Sequence, residues 1–182
     1  MNERYKIGEA RFFLARMEES IRDRVAFRYN LSAFLSAAQS VLQYALTESD
    51  GKGNRKWYDE NVAQINDAQN NVLRDFKEKR DANTHRGEPV DPARDVTIAI
   101  SEGVMVLSAV GEVRFNDKPA EMMKPKEEPP PPKSSESRHR DMVLYRFVDW
   151  PGSEDLNGLS RRYIEELEKF VQKGMEEGII SG

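Results

Sequence analysis

Apolar residues recur at three- and four-residue steps through most of this chain, and at two-residue steps only in short stretches after residue 92. Between residues 6 and 22, Ile7, Ala10, Phe13, Leu14, Met17 and Ile21 make one stripe with Glu and Arg opposite, which predicts an amphipathic helix. A second helix is expected from Val25 to Thr47, lined by Phe27, Leu31, Phe34, Leu35, Ala38, Val41, Leu42, Ala45 and Leu46. It is the most apolar of the set, and Ala33, Ser36, Ala37 and Ser40 leave room for a neighbour to approach closely. Its place is the centre of a bundle. Ser49-Asp50-Gly51-Lys52-Gly53 is a turn signal. Helical spacing then resumes from Asn54, a candidate cap, and runs through Val62, Ile65, Ala68, Val72, Leu73 and Phe76 to Arg86. That stretch is long for one helix, and Asn66-Asp67 is the expected break. Gly87 and Pro89 supply the stop.

After Pro92 the period changes. Asp95 to Ser101 alternates, Val104 to Leu107 and Glu112 to Phe115 have β-type composition, and Met142 to Val148 alternates again. A small antiparallel sheet of three or four strands is therefore expected. Residues 123–140 hold Pro125 and Pro129 to Pro132 among Lys, Glu and Ser, a flexible or polyproline-type loop. A last amphipathic helix from Ser153 or Asp155 to Glu177 carries Leu156, Leu159, Tyr163, Ile164, Leu167, Phe170, Val171 and Met175. The expected fold is mainly α, a four- or five-helix bundle with a small antiparallel β insertion before the last helix. Residues 1–92 form the bundle, 93–150 the insertion and 151–182 the final helix.

Composition narrows the partners. With 28 basic and 32 acidic residues the net charge is −4, so a globally basic nucleic-acid binder is not indicated and only a local basic patch remains open. The absence of cysteine excludes disulfides, thiolate catalysis and Cys-based zinc sites, and fits a reducing cytoplasm. No apolar run approaches the ~20 residues that span a bilayer, so no membrane association is expected.

The candidate chemistry lies in Lys79-Arg80-Asp81-Ala82-Asn83-Thr84-His85-Arg86-Gly87, where the long helical stretch ends. Arg80 can hold a phosphate and His85 can move a proton, the two groups that metal-free RNA cleavage needs. On a helix, positions five apart differ by about 140° and ~7.5 Å, so Arg80 must reach around to meet His85. Asp81, four residues before His85, shares its face and is expected to orient the imidazole, with Asn83 in support. A lone His beside an Arg at a helix end is also, and more commonly, just a solvated terminus.

Residues 9–86 and the final helix resemble the HEPN superfamily. Its members carry an arginine, a polar residue, three further residues and a histidine near the end of a bundle helix. Arg80-Asp81-Ala82-Asn83-Thr84-His85 fits that order, after the Phe12-Phe13-Leu14 helix, the Ser32-to-Ala38 helix and the Trp57-Tyr58 helix start. The resemblance implies a homodimer formed through the motif helices and, in many members, an endoribonuclease that uses no metal and no cofactor. Some members are toxins held by an antitoxin protein, and others only bind. The β insertion and the proline loop have no counterpart in the resemblance.

Other residues weigh less. Lys79, Arg86, Trp57 and Tyr58 are candidate RNA contacts, although Trp57 and Tyr58 serve equally as core aromatics. Arg22, Arg24 and Arg28 gather positive charge where the second helix starts, facing a nucleic-acid cleft or only flanking a turn. Asp59, Glu60 and Asp67 find no partner at metal-ligand spacing, and His139 sits in a basic, proline-flanked segment that reads as a solvated loop or a phosphate-contacting flap. No Gly-rich phosphate loop is present.

Overall fold

A computed structural model describes residues 3–68, 72–87, 90–100, 103–109, 142–148 and 154–182. The architecture is mainly helical, with a small antiparallel sheet before the last helix. Five helices are described: α1 (Glu3–Glu19), α2 (Arg24–Gly51), α3 (Arg55–Ala68), α4 (Val72–His85) and α5 (Leu156–Glu176). Strands β1 (Ala93–Ile100), β2 (Gly103–Ala109) and β3 (Met142–Arg146) form one sheet in the order β2-β1-β3. The sequence reading of 112–115 as a strand and of 123–140 as a loop, together with His139, lies outside the described residues.

Helix α2 occupies the centre because its apolar positions form a broad stripe along most of its length. Phe27, Leu31, Phe34, Leu35, Ala37, Ala38, Val41, Leu42 and Ala45 are all buried, and α1, α3, α4 and α5 pack against it. Each large side chain so buried contributes about 1.5–3 kcal/mol. Asp23 starts the helix by accepting from the Val25 and Ala26 amides. The helix runs on to Gly51, past the expected end at Thr47, because its turn residues continue helical and Lys52 closes it through its amide to the Asp50 and Glu48 carbonyls. Helix α3 is described to Ala68 and α4 from Val72, and the Asn66 side chain accepts from the Arg74 amide at 3.1 Å. Helix α4 ends at His85, and Gly87 takes φ +66°, a left-handed conformation that costs glycine nothing.

The central strand β1 pairs antiparallel with both neighbours, Ile100 opposite Gly103 in β2 and Arg94 opposite Tyr145 in β3. Tyr145 points inward, stacked on Phe27 of α2 with ring centroids 3.8 Å apart and planes at 14°. Two residues on, Phe147 meets Phe76 of α4 edge-on. These rings hold the sheet against α2 and the first half of α4. Among the described residues, no helix is long and apolar enough to cross a membrane.

Candidate functional site

The last turn of α4 carries the motif, and the helix geometry explains how its members meet. Arg80 is long enough to swing round the axis towards the C-terminal end, and its Nη1 lies 3.0 Å from His85 Nε2. The same Nη1 donates to Asp81 Oδ1 at 2.9 Å. A guanidinium nitrogen only donates, so Nε2 must be the acceptor in this contact. The tautomer that fits this contact carries its proton on Nδ1. His85 is exposed, whereas the Arg80 side chain is only 28% exposed and its Nε is shielded without a hydrogen-bond partner.

Two of the expected supporting roles differ in detail. The i, i+4 spacing directs Asp81 to the imidazole, yet its carboxylate binds the nearer, fully charged guanidinium and positions Arg80 instead. Asn83 does not reach the pair. Its amide donates to the Ser32 hydroxyl of α2, which places it on the inner side of α4 as an anchor. Ser32 was not visible as a site residue from sequence, because nothing local marks which serine of α2 a distant helix will meet.

The remaining candidates spread out. Lys79 holds its ammonium 5.3 Å from the centroid of the Phe147 ring, beside the sheet. Arg86 is exposed just beyond the helix, its amide bonded to the Ala82 carbonyl at 3.2 Å. Trp57 and Tyr58 pack on Phe170 of α5, with centroids 5.2 and 5.7 Å away, and Trp57 Nε1 donates to Glu177. Burial pushes the Tyr58 phenol up to about 12. Both rings are partly buried and pack against the hydrophobic core. Among the described residues, no group of three His, Asp or Glu side chains converges as a metal site.

A second cluster lies further along α2. Asp91, after the end of α4, accepts from Arg24 at 2.8 Å and lies 3.6 Å from Arg28 Nε. Arg94 of β1 donates to the Arg22 carbonyl at 3.4 Å. The arginines at the start of α2 therefore do more than flank a turn: they fasten the segment that follows the motif helix.

Comparison of the chain with family models, with curated proteins and with solved structures finds no match to any of them.

Proposed function

We propose that this protein is a HEPN-type, metal-independent endoribonuclease, acting as a homodimer in which Arg80 holds the scissile phosphate and His85 transfers the proton. The observation that supports it is the 3.0 Å approach of Arg80 Nη1 to an exposed His85 Nε2. The RNA 2′-hydroxyl attacks the adjacent phosphorus and the bond to the 5′-oxygen breaks, leaving a 2′,3′-cyclic phosphate. The imidazole takes the 2′-hydroxyl proton, and a proton passes to the departing 5′-oxygen. In the resting arrangement the base lone pair is capped by Arg80. An incoming phosphate competes for that guanidinium, so substrate binding itself releases Nε2 for catalysis and sets Nη1 against the developing charge. Pairing two copies through their motif helices supplies a second imidazole for the other proton.

The test is incubation of the purified protein and of His85→Ala with mixed RNA in chelator. Cleavage ending in 2′,3′-cyclic phosphate by the parent alone is the expected result, and equal cleavage by both discards the mechanism. A strictly monomeric mass at micromolar concentration discards the composite site. One observation favours a second reading, a non-catalytic interaction protein of the same fold: Arg80 already bonds both Asp81 and His85, as it would at a purely structural helix end. Absence of cleavage alongside RNA or protein binding selects it. Whether an antitoxin holds the protein is tested by co-purification with the products of neighbouring genes.

A further inference from the structure

Helices α1 and α5 run antiparallel and are stitched along one seam by side chains seven residues apart. Arg161 donates to Glu18 through Nε at 2.9 Å and Nη2 at 2.6 Å, and Arg11 pairs with Glu168. Positions seven apart return to nearly the same face of a helix, so the third rung belongs to Arg4. The same spacing on α5 reaches Met175, and no carboxylate stands there. Arg4 instead donates to the neutral Gln172 side chain at 3.3 Å, whose own amide donates to Glu176 at 2.6 Å. Two rungs of the seam are closed ion pairs, and the third is a cation facing an amide.

Beside that open rung lies a cavity of about 410 Å³, within the size range of small-molecule sites. Gly8 keeps it open. It lies four residues after Arg4 and three before Arg11, on their face of α1, and a Cβ added there would meet nothing within 4 Å. Ile7 and Val171 line it with aliphatic groups from the two helices. Both arginines face solvent: Arg4 is exposed, and 61% of the Arg11 side chain is accessible. Arg4, Arg11 and Glu168 are the charged groups of the lining and leave one net positive charge. A single carboxylate cancels that charge, whereas a phosphate dianion exceeds it. A guanidinium holds a carboxylate through two parallel charge-assisted bonds, a stronger arrangement than the one long contact to Gln172. We infer that the cleft between α1 and α5 binds a small organic acid, its carboxylate on Arg4 as the missing third rung and its aliphatic body over Gly8 against Ile7 and Val171. The site uses neither Arg80 nor His85, so it stands or falls apart from the nuclease.

The experiment titrates the nitrogen-labelled full chain with hexanoate, octanoate and decanoate below their micellar concentrations and follows the amide proton–nitrogen shifts. Saturable shifts centred on Gly8, Arg11 and Val171 are expected, with octanoate bound ~10-fold or more tightly than octanol or octylamine. Arg4→Gln should weaken octanoate ~10-fold. Gly8→Leu should abolish binding by filling the cleft; circular dichroism checks its folding, and Gly8→Met replaces it where Gly8→Leu fails to fold. Glu168→Gln releases Arg11 and should tighten octanoate severalfold, an outcome that a purely structural role for the seam does not produce. Absence of shifts at millimolar acid overturns the site, and so do affinities within twofold of the parent in both Arg4→Gln and the Gly8 variant. Equal affinity for octanol overturns the carboxylate on Arg4, and equal competition by inorganic phosphate overturns the aliphatic body. Saturable shifts with an aspartate-rich peptide and none with octanoate overturn the small acid in favour of a protein partner.

Discussion

Asn83 donates its side-chain amide to the Ser32 hydroxyl and so fastens the last turn of α4 to the middle of α2, 51 residues earlier in the chain. Arg80 and Asn83 are three apart on α4, so this bond sets the direction in which the arginine leaves the helix. Ser32→Ala and Asn83→Ala are each expected to cost about 1 kcal/mol of stability. Both should lower RNA cleavage by ~10-fold or more through misplacement of Arg80. Denaturant unfolding and cleavage rates measured over a double-mutant cycle check the coupling; additive losses dismiss the anchor.

Arg80→Lys separates charge from geometry. A lysine ammonium is a point charge and cannot span Asp81 and His85 as the planar guanidinium does. Cleavage should fall by ~10²–10³ while RNA affinity changes little. Long-range proton–nitrogen spectra should also show the neutral His85 ring losing its preference for the Nδ1–H tautomer. An unchanged tautomer ratio in Arg80→Lys and Arg80→Gln dismisses the donated contact.

Glu48 governs acid stability. Burial alone would raise its carboxyl, but hydrogen bonds from Lys52 and from the hydroxyl and amide of Ser181 outweigh that and hold it at about 2. A carboxyl held below its ordinary 4.5 stabilises the fold fully above that value and loses the contribution as pH falls from 4.5 towards 2. Glu48→Gln is therefore expected to cost about 1–2 kcal/mol near neutrality. Its melting temperature should converge with the parent's as the solution approaches pH ~2.5, near the bottom of that window. A constant gap across that range contradicts the assignment.

Gly174 lies where α5 meets α3 and the C-terminal residues. A Cβ there would fall 2.8 Å from Trp57 Cη2 and 2.8 Å from Ile180 Cγ1. Although alanine is the better helix former, Gly174→Ala should destabilise by about 1–3 kcal/mol, because the ring and the branched side chain must both move. A rise in melting temperature would show that the site relaxes freely. Gly8, with nothing within 4 Å of its added Cβ, is the control and should gain stability as Gly8→Ala, by about 0.5–1 kcal/mol.

The bundle was readable from the chain because its helices bury clear stripes: Leu156, Leu159, Tyr163 and Leu167 on α5 and Phe27 to Ala45 on α2 carry the 3.6-residue period and are buried. The proximity of Arg80 and His85 was readable too, since it needs only a long side chain on a known helix. What escaped was everything set by tertiary packing. The partner of Asn83, the capture of Arg24 and Arg28 by Asp91, and the alignment of Arg94 with Tyr145 each join segments that local spacing does not relate. Asp81 misled because helical spacing reports which residues share a face, not which of two neighbouring groups attracts a carboxylate more strongly.

The hydroxyl that receives Asn83 is carried by a continuous hydrogen-bonded rod whose start is pinned by Asp23. Such a rod has a phase as well as a length. Inserting one residue between Asp23 and Ser32 would advance the hydroxyl by only ~1.5 Å but turn it by about 100° about the axis. The last turn of α4 would then meet a different face of α2 and lose its hold. Inserting four residues would bring the facing back within about 40° while shifting the hydroxyl by ~6 Å.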